Sequence, residues 1–250
     1  MKKNTAEFIY GIHAVESMLR NNCEDVLQVW VAQGRKDKRV QEITDIAGKA
    51  GISVEAISAD KMNNKCPDAK HQGIIAKIRP TKNKSVALED VLNKQSLLLL
   101  ILDEVQDPHN IGACLRTADA AGVDAVIVSR NRSPGITPVV RKVASGAVDT
   151  VPFIQVTNLA RAIRQLQDND VRVIGTSDDA GVTIYDANVT DRMALVMGSE
   201  GKGMRRLTRE NCDELVSIPM RGSVESLNVS VATGIGLYEI RRKIESMLNQ

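Results

Sequence analysis

Three stretches of the 250-residue sequence carry polar side chains at spacings that suit chemistry. DPHNIGACLRTADAAG (107–122) follows the apolar run LLLLILDEV and reads as a strand turning into a helix at a ligand site. Turns that hold a nucleotide cofactor usually carry several glycines so that backbone can approach phosphate, yet only Gly112 lies near this one. Its donors are side chains, Asn110 and Arg116. GSEGKG (198–203) follows MALVM and surrounds Glu200 with Gly198, Gly201 and Gly203. Such a cluster serves an ordinary tight turn with a solvated glutamate, or lets backbone amides and carbonyls approach a ligand. The third stretch, IPMRGSVESLNVSVATG (218–234), runs from a strand through a glycine turn into a helix whose first residues are expected at Ser226, Leu227 and Asn228. Ser226 and Asn228 there are either caps or a hydroxyl and an amide offered to a ligand. The small residues Ser230, Ala232, Thr233 and Gly234 permit close packing of that helix against a neighbour.

The elements that must position these loops follow from periodicity. From Leu97 onward, apolar runs (LLLLILDEV, DAVIVS, VPFIQV, VRVIGTS, MALVM, ELVSIPM) alternate with helix-like segments (from Asn110 to Gly122, VVRKVASGA, NLARAIRQLQ, GMRRLTREN, and a long one from about Ser226 to Leu248). Continuous apolar strands separated by helices imply a parallel sheet covered on both faces. Ligands in such sheets sit past the carboxyl ends of strands, here the loops after Val105, Met197 and Met220. Upstream, GIHAVESMLR sets Ile12, Val15 and Leu19 on one helical face, VQEITDIAGKAG is a helix ending at Gly51, and VLQVWVA, ISVEAIS and GIIAKI are strands. The division expected is a small α/β domain over residues 1–78, a lysine-rich linker over 79–96 with a turn or two of helix in SVALEDVL, and an α/β domain over 97–250.

Composition narrows the functions. The net charge is +2, so nucleic-acid contact must come from local patches such as RKDKR (35–39), which also fits a solvated helix start. Aromatics are 2% of the chain, too few for a protein that reads single strands by stacking bases. Cys23, Cys66, Cys114 and Cys212 show no C-x-x-C spacing and no hydrophobic leader follows the start, which fits a reduced cytoplasmic protein. The longest apolar run, 97–102, falls far short of the roughly 20 residues of a membrane span. His13, His71 and His109 form no paired ligand motif, so no metal is expected. Neither G-x-G-x-x-G nor G-x-x-x-x-G-K-[ST] occurs, which argues against a nicotinamide-dependent oxidoreductase.

Taken together, the order and spacing of the three loops resemble the SpoU (TrmH) family of RNA ribose 2'-O-methyltransferases, within the SPOUT superfamily. HQG (71–73) extends the resemblance to the substrate-binding domain that this family often places before the catalytic one. The resemblance implies a C-terminal parallel-sheet SPOUT domain with a deep trefoil knot, an N-terminal RNA-binding domain, S-adenosylmethionine as cofactor, and a homodimer whose active sites draw on both subunits. It implies Asn110, Arg116, Glu200, Ser226 and Asn228 as catalytic residues, and Gly198, Ile218 and Leu227, with Thr176 and Met220 after them, as the cofactor pocket. The substrate implied is a guanosine ribose of bacterial large-subunit (23S) rRNA. The alternatives are another RNA such as tRNA, or a ribosome-assembly factor without turnover. Arg116 would act as the base for the 2'-hydroxyl, or would stay charged and stabilise the developing alkoxide.

Overall fold

The computed structural model describes residues 7–35, 37–67, 69–79 and 86–248. In chain order its first elements are β1 (Glu7–Tyr10), α1 (Ile12–Asn21), β2 (Val26–Ala32), α2 (Lys38–Lys49), β3 (Ser53–Ile57), α3 (Ala59–Lys65), β4 (Ile74–Ile78) and α4 (Leu88–Leu92). There follow β5 (Leu97–Leu102), α5 (Pro108–Ala120), β6 (Ala125–Ser129), α6 (Pro138–Ala144), α7 (Ala147–Thr150), β7 (Phe153–Val156), α8 (Leu159–Gln167) and β8 (Arg172–Thr176). The last are β9 (Val182–Thr183), β10 (Arg192–Met197), α9 (Arg206–Glu210), β11 (Glu214–Ser217) and α10 (Val229–Leu248). Two compact units result, one of Met1–Lys84 with Ile136–Thr150, the other of Ser85–Gly135 with Val151–Gln250.

In the first unit β1, β4, β2 and β3 form a mixed sheet, in which only β2 and β3 pair in parallel. α1 and α2 cover one face through Val15, Met18, Leu19, Ile43 and Ala47. α3, which lacks the apolar periodicity of an obvious helix, covers Trp30 on the other face with Met62. α6 and α7 also belong here; Ser145 (φ 51°) and Gly146 (φ 103°) break the helix expected over VVRKVASGA into these two pieces.

The second unit holds the parallel sheet, ordered β7, β6, β5, β10, β8, β11, β9, with every neighbouring pair parallel. All six residues of β5 are buried, as a central strand covered on both faces requires. Leu97, Leu99 and Ile101 face Leu159, Ile163 and Leu166 of α8. On the other face lie α5 and α10, where the buried Cys114 and Thr233 meet at 3.5 Å. Arg241 of α10 donates to the carbonyls of Ala121 (2.9 Å) and Gly122 (2.7 Å) just past the end of α5. Gly236 lets α10 approach the sheet, since a Cβ there would come 2.8 Å from Leu195.

Two helix starts differ from the sequence reading. α5 begins at Pro108, because Asp107 caps it by accepting from His109 N (2.9 Å) and proline suits the first helical position. α10 begins at Val229, so Ser226, Leu227 and Asn228 lie in the preceding loop; Asn228 is the cap, accepting from Ser230 N at 3.0 Å. Caps are non-helical by nature. Of the stretch expected as linker, residues 80–85 lie outside the described residues, while its helical turns appear as α4.

Candidate active site

The loop after β10 closes on itself. Ser199 N donates to Gly203 O (3.1 Å) and Gly203 N to Ser199 O (2.9 Å), with Gly201 (φ 75°) and Gly203 (φ 63°) in the left-handed conformation. Gly198 has a different reason: a Cβ there would lie 2.2 Å from the Gly203 carbonyl carbon and 2.3 Å from Met204 N. The tight turn and the close approach are therefore the same feature. It forms one wall of a cavity of about 250 Å³. Thr176, Gly198, Ile218, Met220 and Leu227, the five residues expected at the cofactor, all line that cavity, as do Glu200 and Ser226. Thr176 uses its hydroxyl to hold β10, donating to Val196 O at 3.1 Å.

Three of the expected catalytic residues form one network. The Asn228 Nδ2 amide donates to Asn110 Oδ1 (3.0 Å) and Glu200 Oε1 (2.6 Å), while its Oδ1 caps α10. Glu200 Oε1 also accepts from Val229 N (3.1 Å), which sets a carboxylate at the N-terminus of a 20-residue helix, where negative charge is favoured. Asn110 Nδ2 and Glu200 Oε2 make no hydrogen bond among the described residues. A free donor and a free acceptor thus stand beside the cavity, the pair that a hydroxyl group can satisfy at once. Ser226 is exposed on the cavity wall and has no hydrogen bond among the described residues.

Arg116 is not part of this network. Six residues separate it from Asn110, a rotation of about 600° at 3.6 residues per turn, so the two side chains leave α5 roughly 120° apart. It is exposed and makes no hydrogen bond or ion pair among the described residues.

The expected site leaves out several cavity residues, among them Ser177, Asp178, Lys202, Met204, Arg209 and Glu225. Ser177 and Asp178 follow a strand end, where ligands gather, but no glycine cluster or helix start marks that loop. Beside them Arg209 binds Asp179 through both carboxylate oxygens (2.9 and 2.8 Å) and donates to Ser177 Oγ (3.0 Å). Those bonds from Arg209 and Ser177 hold the Asp179 carboxyl below its usual range.

In the first unit the HQG turn is built from side chain to backbone. Gln72 (φ 48°) and Gly73 (φ 70°) are both left-handed, His71 Nδ1 accepts from Gly73 N at 3.1 Å, and Arg35 donates to the Gln72 carbonyl. Gln72 Oε1 accepts from Ile12 N (3.4 Å) at the start of α1, whose own cap residue is Gly11. In the RKDKR patch, Arg35 pairs with Asp37, which also caps α2 through Val40 N (3.1 Å); Lys36 lies outside the described residues. Arg39 Nη1 meets His13 Nε2 at 3.3 Å. Among the described residues no group of three or more His, Cys, Asp or Glu could hold a metal ion, and no helix is long and apolar enough to cross a membrane.

Known proteins resemble this chain over nearly all of its length. The profile of the SpoU rRNA Methylase family matches residues 97–238, and that of the RNA 2'-O ribose methyltransferase substrate binding domain matches residues 8–83. The 23S rRNA (guanosine-2'-O-)-methyltransferase RlmB of Haemophilus influenzae is 52% identical over 241 residues, covering 95% of this chain and 98% of that protein. A crystal structure of an RNA 2'-O ribose methyltransferase superposes with a TM-score of 0.81 at 26% identity, over 96% of this chain and 89% of that one. The SpoU methyltransferase AviRb of Streptomyces viridochromogenes, solved with AdoMet, shares the fold at 21% identity with a TM-score of 0.78, over 95% and 90% of the two chains.

Proposed function

The chain belongs to the SpoU rRNA Methylase family, and from that membership we propose that it methylates the ribose 2'-hydroxyl of a guanosine in 23S rRNA, with S-adenosylmethionine as methyl donor. The observation that carries the reading is the meeting of Asn110, Glu200 and Asn228 beside a cavity walled by Gly198, Ile218 and Leu227. That cavity suits the cofactor: Ile218, Met220 and Leu227 are apolar walls for a base and for the methylene groups beside the sulfonium, and the 198–203 backbone offers polar groups to a ribose. When bound, S-adenosylmethionine supplies an electrophilic methyl group on a sulfonium.

The protein's own task is to hold the 2'-hydroxyl in line and to let its proton pass to the solvent that reaches the exposed Glu200 and Ser226 as the methyl group is transferred. Asn110 Nδ2 and Glu200 Oε2 are the groups that orient the ribose, and Asn228 locks both in place by spending its own amide on them. Ser226 stands on the same wall as a further hydroxyl donor. Arg116 serves as the electrostatic partner: a guanidinium fixes phosphate in bidentate fashion and stabilises a developing alkoxide, and is a poor proton acceptor. Its direction on α5, away from Asn110, supports action at the site of a second subunit in a homodimer.

The rest of the reading concerns the scaffold and setting. The C-terminal part of the sheet forms a trefoil knot. Insertion of β10 between β5 and β8, and the return of α10 onto α5 after residues 218–228, support it. The N-terminal segment, 1–78, is the RNA-binding domain, joined by 79–96 to the methyltransferase domain 97–250, whose residues 136–150 belong to the first compact unit; the two family profiles support the boundary between the domains. The enzyme works in the cytoplasm, where rRNA is the substrate. The test is transfer of radiolabelled methyl from S-adenosylmethionine to rRNA and tRNA isolated from cells lacking this gene, followed by nuclease digestion. Label in 2'-O-methylguanosine of large-subunit rRNA is the expected result; label in tRNA alone, or in neither RNA, overturns it.

A further inference from the structure

We infer that Asp103, at the end of β5, is a positioning residue that holds the 198–204 loop in the shape that receives the cofactor; the inference rests on the methyltransferase reading above. The backbone N–H of Asp103 donates to Met197 O at 2.8 Å, where the loop leaves β10. The Asp103 carboxylate Oδ2 accepts from Arg205 N at 2.8 Å, where the loop ends at the start of α9. One residue therefore clamps both ends of the segment that carries Gly198 and Glu200. Through Glu200 the clamp extends to Asn228 and Asn110.

The surroundings of Asp103 speak for a built device. Its side chain is fully buried, and Oδ1 has no hydrogen-bond partner; Arg205 Nε stands 3.5 Å from it and 3.7 Å from Glu104 Oε1. Burying a carboxylate is costly unless charge and hydrogen bonds compensate, and an apolar side chain of the same volume would serve packing alone better. Arg205 makes no side-chain cap on α9, and Asp103, just past the end of β5, instead holds the N–H of that cap residue itself. Glu104 takes a left-handed backbone (φ 60°), uncommon for its type, and is held by Arg132, which keeps a second carboxylate beside the same guanidinium. Asp103 does not line the cavity, so its effect on cofactor and substrate runs through the loop.

The experiment measures S-adenosylmethionine affinity by calorimetry, RNA affinity, and single-turnover methylation on the full chain. Asp103→Leu keeps the branched side-chain skeleton, with bulkier methyl groups in place of the oxygens, and removes the acceptor; it is expected to weaken cofactor binding at least tenfold and to slow turnover at saturating cofactor, with RNA affinity within twofold of wild type. Asp103→Asn keeps an oxygen at the same place and is expected to restore cofactor affinity to within threefold. Wild-type affinity in Asp103→Leu, or an equal loss in both variants, overturns the inference. Should Asp103→Leu fail to fold, Arg205→Pro removes the donor at a position whose φ of −65° proline accepts, and must show the same tenfold loss. A wild-type chain that binds no cofactor overturns the methyltransferase reading itself, an outcome distinct from wild-type binding that Asp103→Leu leaves unchanged.

Discussion

Arg116 is exposed on α5 with no partner among the described residues, so its removal should leave the fold and the cofactor cavity alone. Arg116→Ala is expected to cut single-turnover methylation by about 10² to 10³, the usual cost of losing one donor to developing negative charge, with cofactor affinity unchanged in calorimetry. Arg116→Lys keeps a charge that cannot fork; a pH–rate profile parallel to wild type would speak for electrostatic stabilisation, and a displaced one for a base. Glu200→Gln keeps an acceptor for Asn228 and Val229 N but loses the charge, and should turn over roughly tenfold more slowly, since charge-assisted bonds are about twice as strong as neutral ones. Full activity in that variant would remove Glu200 from the mechanism. The residue types were legible in the sequence because Asn, Glu and Asn each follow an apolar strand. Their joint geometry was not: capping and ligand orientation looked like rival uses of Asn228, and the side chain caps α10 with its oxygen while its nitrogen holds Asn110 and Glu200. Arg116 shared a motif with Asn110, yet helical rotation parts them.

At the scale of elements, the pair α5 and α10 carries the proposed site, since Asn110 stands in the first turn of one and Asn228 caps the other. Their seam is buried, and burial pushes the Cys114 thiol up from 9.0 to about 11, against the lowering influence of the Thr233 hydroxyl. Burial, with the nearby Asp213 and Asp103 charges adding to it, pushes the Cys212 thiol up to about 12. A raised value in the folded state means that the protonated thiol favours folding. Its contribution is complete below pH 9, where the unfolded thiol is also protonated, and is lost as pH rises towards 11. For Cys114 the loss is on the order of 2 to 3 kcal/mol. Melting temperature should therefore fall between pH 9 and 11 more steeply in wild type than in Cys114→Ala; parallel curves would refute the coupling. The seam was partly foreseeable, because Ser230, Ala232, Thr233 and Gly234 advertise a helix that packs closely. The helix start was misplaced by three residues because Ser226 and Asn228 are both good caps and only tertiary packing chooses between them. α3 went unseen since ADKMNNK buries Met62 alone, too little for a period.

At the scale of the molecule, alternation was enough to foresee the parallel sheet, because buried central strands such as β5 must be apolar throughout. It could not tell which surface each helix covers. α6 and α7 arise between β6 and β7 of the large sheet, yet they pack with β1 and α1, where Arg141 and Asp149 form a buried ion pair at 2.9 Å and Ser17 donates to Asp149 at 3.4 Å. This division bears on removal of the N-terminal segment. Every residue lining the cavity proposed for the cofactor lies between 176 and 232, in the other unit. A chain lacking residues 1–80 should accordingly bind S-adenosylmethionine within about threefold of wild type, while its RNA affinity falls. With fewer phosphates neutralised, the dependence of log K on log salt should also flatten, by roughly 0.7 to 0.9 per phosphate. The same deletion strips α6 and α7 of their partners, so Val140, Ala144 and Ala147, buried in the full chain, become accessible. The truncated protein should then bind a hydrophobic dye and melt at a lower temperature even while its cofactor site works. Unaltered RNA affinity and salt slope would place the RNA-binding groups outside the N-terminal segment, and lost cofactor binding in a folded truncation would mean that the cavity depends on that segment.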